Sequence, residues 1–327
     1  MTLQIGFDPE FPLTDVKKSK FIPSWGITSG DKAKPEVIYK DDAGFWVGIL
    51  VDGMGLEVNA SPFKFTNPKS DLRDLAAHWA YVYDLVVAHV NSKKAIVRNS
   101  INAVYDENIL SDKRAKIAGC DKDYTAYAEN VAMPRDFQLN VDQAARYFGG
   151  HVHIGYDPKL APPHVVAKFM DLFWALAVKE RQGNRRQNYG LPGLFRPKEY
   201  GVEYRTPSNA WCGGGIGGVA MVGNAVRTIH DLLVNHNREM IQIYRTIPWD
   251  TVHGCISTET YNRVAQKVLN DALEATSKVN AALTTRYIED AERNNVAVFG
   301  EQRLNRAIPR GEPIEELDIN EEDEDAA

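Results

Sequence analysis

The residues best suited to chemistry lie in Gly149-Gly150-His151-Val152-His153-Ile154-Gly155-Tyr156. Alternation of His with β-branched residues reads as a short strand. Residues two apart in a strand point the same way, so His151 and His153 share one face, roughly 7 Å apart at the backbone. Val152 and Ile154 share the other face and suit a packed core. The flanking glycines leave room for a ligand or a second strand to approach closely. Two imidazoles on one strand face make either a metal or phosphate site or a pair of histidines hydrogen-bonded within a sheet. The octapeptide alone does not choose.

The same design recurs. Leu3 to Phe11 reads as a strand with Leu3, Ile5 and Phe7 on one face and Asp8 and Glu10 on the other. Pro9 removes a ladder donor, which predicts an edge, a bulge or the strand's end here. Leu56-Glu57-Val58-Asn59 sends Leu56 and Val58 to the core and Glu57 and Asn59 the opposite way. Gly201-Val202-Glu203-Tyr204-Arg205-Thr206-Pro207 puts Glu203 and Arg205 on one face, as a site pair or as an ordinary ion pair on an exposed strand, where it would contribute little. Asn184 to Lys198 is basic, aromatic and punctuated by Gly and Pro. Such a loop can wrap an anionic ligand, with the forks of Arg185, Arg186 and Arg196 on phosphate oxygens, or can be a solvated surface loop.

Several elements must position these groups. Phe45 to Val51 is an apolar run that Asp52-Gly53 turns into a hairpin with the Glu57 strand. Ser70 to Asn91 is a helix with Ser70 as cap and a stripe from Leu72 through Trp79 to Val90, packed on the sheet without chemistry of its own. A further helix runs from Pro162 or Pro163 to about Arg181, and two long covering helices span about Ile216 to Tyr244 and Glu259 to Arg293. Residues 16 to 44 read as irregular. Gly119 to Tyr124 reads as a polar turn. The glycine run 213–218 lacks the Lys-Ser/Thr of a phosphate loop and reads as a helix entry.

The 327 residues carry a net charge of −6, and the stretch Glu312 to Asp325 is dominated by acidic residues, so the body is close to neutral. That argues against broad non-specific DNA binding, which needs a basic face. Three scattered cysteines, Cys120, Cys212 and Cys255, with no CxxC, argue against a disulfide scaffold or a thiolate zinc site and for a reducing compartment. The start lacks a signal-peptide pattern and no apolar run approaches the roughly 18 residues of a membrane span. A soluble, cytoplasmic protein with no membrane partner is expected. It is expected to form one domain over residues 1–310, with a disordered acidic tail over 311–327.

Strands of one sheet can bring Asp8, Glu10, Glu57, His151, His153, Glu203 and Arg205 to a shared face. Three carboxylates, Glu10, Glu57 and Glu203, with one or two imidazoles suit Mg²⁺ or Mn²⁺ better than zinc. Divalent cations beside arginines meet the requirements of phosphoryl transfer. In this light the chain resembles the bacteriophage-encoded COOH–NH2 ligases (amidoligases) of the glutamine synthetase and glutamate–cysteine ligase superfamily. The resemblance rests on Gly6-Phe7-Asp8-Pro9-Glu10-Phe11, Asp52-Gly53 with Glu57-Val58-Asn59, Gly119 to Tyr124, Gly149 to Gly155, Tyr189-Gly190 with Gly193 and Phe195-Arg196, and Gly201 to Asn209. These pieces occur in the family's order from residue 3 to about 212, and the last hundred residues match only as generic helices.

The resemblance implies an α+β fold: a mostly antiparallel, curved half-barrel sheet with flanking helices, like the glutamine synthetase catalytic domain. It implies ATP-dependent joining of a carboxylate to an amine through an acyl phosphate. Glu10, Glu57 and Glu203 would be metal carboxylates, with His151 or His153 completing the site. Arg205 and Arg196 would contact phosphate, with Arg185, Arg186 and Tyr189 also on the nucleotide side, and Asp8 would hold the amine or take its proton. The expected partners are small-molecule or peptide carboxylates and amines, or a nucleotide or DNA base, in a host cytoplasm. A metal-dependent hydrolase and a non-catalytic phage binding or virion-associated protein are the competing readings.

Overall fold

Period-two alternation in the opening residues builds the strand on which the rest of the sheet is assembled. The protein is seen in a computed structural model that describes residues 3–17, 20–66, 71–116, 123–127, 134–135, 144–180, 182–213 and 216–293. The strands are β1 (Gln4–Phe11), β2 (Leu13–Asp15), β3 (Phe21–Ile22), β4 (Glu36–Lys40), β5 (Trp46–Asp52), β6 (Gly55–Ala60), β7 (Phe63–Lys64), β8 (Ala95–Val97), β9 (Asn102–Val104), β10 (Asp123–Thr125), β11 (Pro134–Arg135), β12 (Ala145–Tyr147), β13 (Gly150–Gly155), β14 (Leu194–Lys198) and β15 (Gly201–Tyr204). The main sheet runs β11-β10-β14-β15-β13-β1-β6-β5-β4, with β7 also on β1. Every adjacent pair in it is antiparallel.

The α+β class is as expected, but the curvature is not: the sheet is open and uncurled, and no half-barrel forms. Its two end strands, β11 and β4, do not meet. Pro9 is another correction, because it lies inside β1, opposite Gly150, in the middle of the sheet. Pairing on the other side of β1 is split there, with β7 on Gln4 and Ile5 and β6 on Glu10 and Phe11, so proline sits where that side carries no ladder. Residues 16–44 are less irregular than their composition implies, since β4 forms on the outside of the β5–β6 hairpin.

The helices are α1 (Asp71–Ser92), α2 (Glu107–Leu110), α3 (Pro163–Met170), α4 (Leu176–Val178), α5 (Asn184–Asn188), α6 (Ala210–Gly213), α7 (Ile216–Asn235), α8 (Asn237–Thr246), α9 (Trp249–Ser257), α10 (Arg263–Val279) and α11 (Ala281–Arg293). Of these, α1, α3 and α6 pack against strands of the main sheet, and α7 packs on α1. The stripe Leu75, Ala76, Trp79, Val82, Val86 and Val90 of α1 is buried. Trp79 meets Phe7 of β1 edge-on at 5.7 Å between ring centroids, and Phe7 meets Trp211 at 4.8 Å. The Trp79 indole donates to the Cys212 carbonyl at 2.9 Å, so its polar end is satisfied as well. No helix among the described residues is long and apolar enough to cross a membrane.

The two long covering helices are each broken. His236 separates α7 from α8, and Asn280 separates α10 from α11, while Pro248 precedes an unexpected α9. The Asn280 side chain donates to Asp231 of α7 at the break, and hydrophobic periodicity runs through both breaks undisturbed. Asn262 caps α10 by accepting from the amides of Val264 and Ala265. The helix after Pro162 holds a π-helical turn, Asp171–Ala175, and ends at Lys179 with φ +51°. The expected loop of residues 184–198 is instead α5 followed by strand β14. Ser70, residues 119–122, Arg181, Gly214-Gly215 and the acidic tail lie outside the described residues.

Because Trp79 joins the helix layer, strand β1 and α6, Trp79→Ala should destabilise the fold by about 3–5 kcal/mol. Urea denaturation measures this, and a loss under about 1 kcal/mol would contradict the packing described.

Candidate functional site

Antiparallel partners share a face, so register assembles the site. Gly6 faces His153 and Asp8 faces His151 across β1 and β13. His153 faces Glu203, which faces Arg196 on β14. On the other side of β1, Glu10 directly faces Glu57. The structure therefore gathers Asp8, Glu10, Glu57, His151, His153, Glu203, Arg196 and Arg205 on the face opposite the helices. Asp8, Glu10, Glu57, His151, Glu203 and Arg205 are all buried, not the exposed strand pairs that alternation alone permits.

Arg205 organises one half. Its Nε forms an ion pair with Asp123 Oδ1 at 2.9 Å, and Arg196 Nε pairs with the same oxygen at 3.0 Å. Arg205 Nη1 bonds Glu203 Oε1, which Arg196 Nη1 approaches at 3.4 Å, and Lys198 Nζ meets Glu203 Oε2 at 2.8 Å. Burial works against the Glu203 charge, but the Arg205 guanidinium, with His153 and Arg196 behind it, holds this carboxyl well below the usual range.

Arg205 also decides a tautomer. A guanidinium only donates, and Nη1 lies 2.9 Å from His151 Nδ1, so that nitrogen accepts. The ring proton then sits on Nε2, which lies 2.9 Å from Tyr189 Oη. Tyr189 Oη, receiving from His151 and from Arg205 Nη2 at 3.0 Å, donates to Glu10 Oε1 at 3.0 Å. The amide of Gly149 donates to Glu10 Oε2 at 2.8 Å. Burial, reinforced by the Arg205 charge, pushes the His151 pKa well down, so the ring is neutral. Both of its nitrogens are committed to protein partners. His153 differs: Nε2 lies 2.8 Å from Asp8 Oδ2, and Nδ1 bonds the Tyr200 hydroxyl. Burial opposes its protonation, but the Asp8 carboxylate outweighs that and raises its pKa.

The donor atoms of Asp8, His153 and Glu203 lie within 4.8 Å of one another, and so do those of Glu10, Asp52 and Glu57. The second group is all oxygen and carries too much like charge. Burial, then Asp52, raises Glu10 to about 7, and burial, then Asp8, Asp52 and Glu10, raises Glu57 well above the ordinary value. Lys32 Nζ stands 3.7 Å from Asp52 Oδ1. Clustered buried carboxylates either keep protons or hold a hard cation, and an oxygen-only set fits Mg²⁺ or Mn²⁺. The buried Asp8 Oδ1, which has no hydrogen-bond partner, fits the same need in the first group.

Two expected ligand-binding residues face the other way. Arg185 and Arg186 are 0% and 2% exposed. Arg185 Nε donates to the Phe148 carbonyl at 2.7 Å and Nη2 to that of Pro207 at 2.8 Å. Arg186 Nη1 donates to the carbonyls of Gly190 and Thr206. The basic segment folds as a helical turn against the protein, where its forks find backbone oxygens, so it does not form a phosphate-wrapping loop. The Arg185 guanidinium also lies 4.8 Å from the Tyr189 ring centroid and so backs the tyrosine that reaches the site.

Sequence reading passed over Asp52, Asp123, Lys198 and Tyr200 as site residues. Asp52 had a usable signal: β5 alternation extended by one residue puts it beside Leu50, which pairs with Glu57. Asp123 lay within the Gly119 to Tyr124 motif, but its strand is only three residues long, too short for alternation to aim it at the site.

Residues 142–247 match the family described as phage phiEco32-like COOH.NH2 ligase-type 2. The match spans β13, β14 and β15, which carry His151, His153, Arg196 and Glu203. It covers about a third of the chain and is a likeness to a phage-type amidoligase family. That family's name denotes carboxylate–amine ligases, enzymes that form C–N bonds. No curated protein matches the chain.

Glu10 binds a proton more tightly in the folded chain than in the unfolded one, so its contribution to stability is complete below about pH 4.5 and lost as pH rises through about 7. In metal-free protein, Glu10→Gln should raise stability at pH 8 relative to wild type by on the order of 1–3 kcal/mol and give no gain at pH 4. Denaturation midpoints at the two pH values measure this; equal effects at both would contradict the crowded-carboxylate reading.

Proposed function

We propose that the protein is an ATP-dependent, Mg²⁺-requiring carboxylate–amine ligase related to glutamine synthetase. One observation carries the reading: on a single sheet face, a buried all-carboxylate group lies beside a second group in which carboxylates alternate with Arg196, Lys198 and Arg205. Neither half alone is specific. Together they offer oxygen ligands for divalent cations and fixed positive charge for phosphate oxygens, and the family match supplies the reaction type.

A carboxylate does not acylate an amine, because oxide is too poor a leaving group. Transfer of the terminal phosphoryl group of ATP to a carboxylate oxygen, with ADP leaving, yields an acyl phosphate. The amine nitrogen then attacks the acyl carbon, phosphate departs with the C–O bond electrons, and the nitrogen loses a proton. Bound Mg²⁺ would offset charge on the phosphates, held by Glu10, Asp52 and Glu57 and by Asp8, His153 and Glu203. Arg196 and Lys198 border the second group and meet phosphate oxygens from the protein side. Arg205 keeps both arginine planes and the His151 tautomer in place. Substrates are small-molecule or peptide carboxylates and amines, with a nucleotide or DNA base as a further candidate.

Purified protein with Mg²⁺, ATP and mixed carboxylates and amines should release ADP together with an amide product detected by mass spectrometry. Glu57→Gln should lower that turnover at least about 100-fold while preserving the melting temperature, since Gln replaces a carboxyl that already holds its proton when no cation is bound. Bond cleavage that needs no ATP would favour a metal-dependent hydrolase instead. The two histidines should separate as well. His153→Ala should weaken Mn²⁺ binding, whereas His151→Ala should leave the cation site filled and disturb Glu10 through Tyr189; equal effects in a Mn²⁺ titration would overturn this division of roles.

A further inference from the structure

The turn that joins β14 to β15 is Glu199-Tyr200, flanked by Lys198 at the end of β14 opposite Gly201 at the start of β15. The turn is held rigidly against β13. The Tyr156 amide donates to the Tyr200 carbonyl at 2.8 Å. Gly201 has φ +143°, and a Cβ there would stand 2.2 Å from the Ile154 carbonyl oxygen, so this approach requires glycine. From this fixed base two side chains reach the Asp8, His153 and Glu203 group. The Tyr200 hydroxyl bonds His153 Nδ1, and Lys198 Nζ sits 2.8 Å from Glu203 Oε2. Tyr200 is 43% exposed and Lys198 is about one-third exposed, so both stand at the open side of the group.

We propose that this turn sets the cation affinity of the Asp8, His153 and Glu203 group through two opposed contacts, Tyr200 as a positioning residue for His153 and Lys198 as a resident counter-cation for Glu203. The inference rests on the metal reading of the site given above. A phenol hydroxyl both donates and accepts. With no metal bound, it donates to Nδ1 while Nε2–H faces Asp8, or accepts from Nδ1 when the ring is doubly protonated. With a cation beside Asp8 and Glu203, Nε2 must present a lone pair, the proton sits on Nδ1, and the same hydroxyl accepts it. One side chain thus keeps the ring aimed at the carboxylates in every state, the part that a hydrogen-bonding partner plays for a ligating histidine. Lys198 works the other way. Its ammonium neutralises Glu203 when no metal is present and must swing out, along a flexible stem, for a divalent cation to take its place.

Mn²⁺ binding to the full chain, followed by electron paramagnetic resonance of the free ion, tests this. His153→Ala identifies which class of Mn²⁺ sites belongs to the group. Tyr200→Phe should weaken that class by roughly 10–100-fold with an unchanged melting temperature. Lys198→Met, which keeps the stem and removes the charge, should tighten it. A structural role for the turn alone would move both variants in the same direction. Wild-type affinity in Tyr200→Phe, or no tightening in Lys198→Met, overturns the proposal while leaving the metal site standing. Absence of any Mn²⁺ binding by wild type overturns the metal reading and this inference with it.

Discussion

A guanidinium buried at the centre of the sheet is the interaction on which the site depends. Arg205 is 3% exposed, donates to Glu203, His151 and Tyr189, and forms an ion pair with Asp123. Taking such a charge out of water costs several kcal/mol, and only a full set of well-placed acceptors offsets that cost. The arrangement is therefore weak as a source of stability and strong as a source of order. Removing any one acceptor leaves a buried charge short of a partner, so the four are tied to one geometry. Through Asp123 the same charge aligns Arg196, and through His151 and Tyr189 it reaches Glu10 on the far side of β13.

From Arg205 outward the face divides into two electrostatic environments. Toward β14 the carboxylates are matched by Arg196, Lys198 and Arg205, and Glu203 stays ionised. Toward β6 the carboxylates of Glu10, Asp52 and Glu57 face one another, and burial, then like charge, raises the pKa values of Glu10 and Glu57. Pairs of groups pushed in opposite directions by their surroundings are a mark of sites where protons and cations exchange. The dividing line is strand β1, whose even-numbered residues Asp8 and Glu10 each belong to one side. The apolar odd-numbered residues of the same strand, Ile5, Phe7 and Phe11, anchor it to the helices.

Much of this face could be read before any coordinates. Alternation in four stretches assigned Asp8, Glu10, Glu57, His151, His153, Glu203 and Arg205 to faces correctly, because in an extended chain the side on which a residue lies follows from its parity alone. The helix Asp71–Ser92 was readable for the same reason at its own period. The ordered glycine- and acid-bearing motifs pointed to the amidoligases, and the family match falls on the later ones.

What parity and period leave open is which strands become neighbours, and in what register. That Glu57 lands opposite Glu10, that Asp123 joins two arginines, and that Arg185 and Arg186 turn inward to carbonyl oxygens depend on contacts between segments far apart in the chain. The roles of the two histidines are of this kind too. His151 and His153 are alike in local sequence, and only the partners brought to them, Arg205 and Tyr189 for one and Asp8 and Tyr200 for the other, separate a committed ring from one that faces the carboxylates. The open sheet and the breaks at His236 and Asn280 belong with these, since closure and chain reversal are settled by packing over the whole domain and leave little trace in a local pattern.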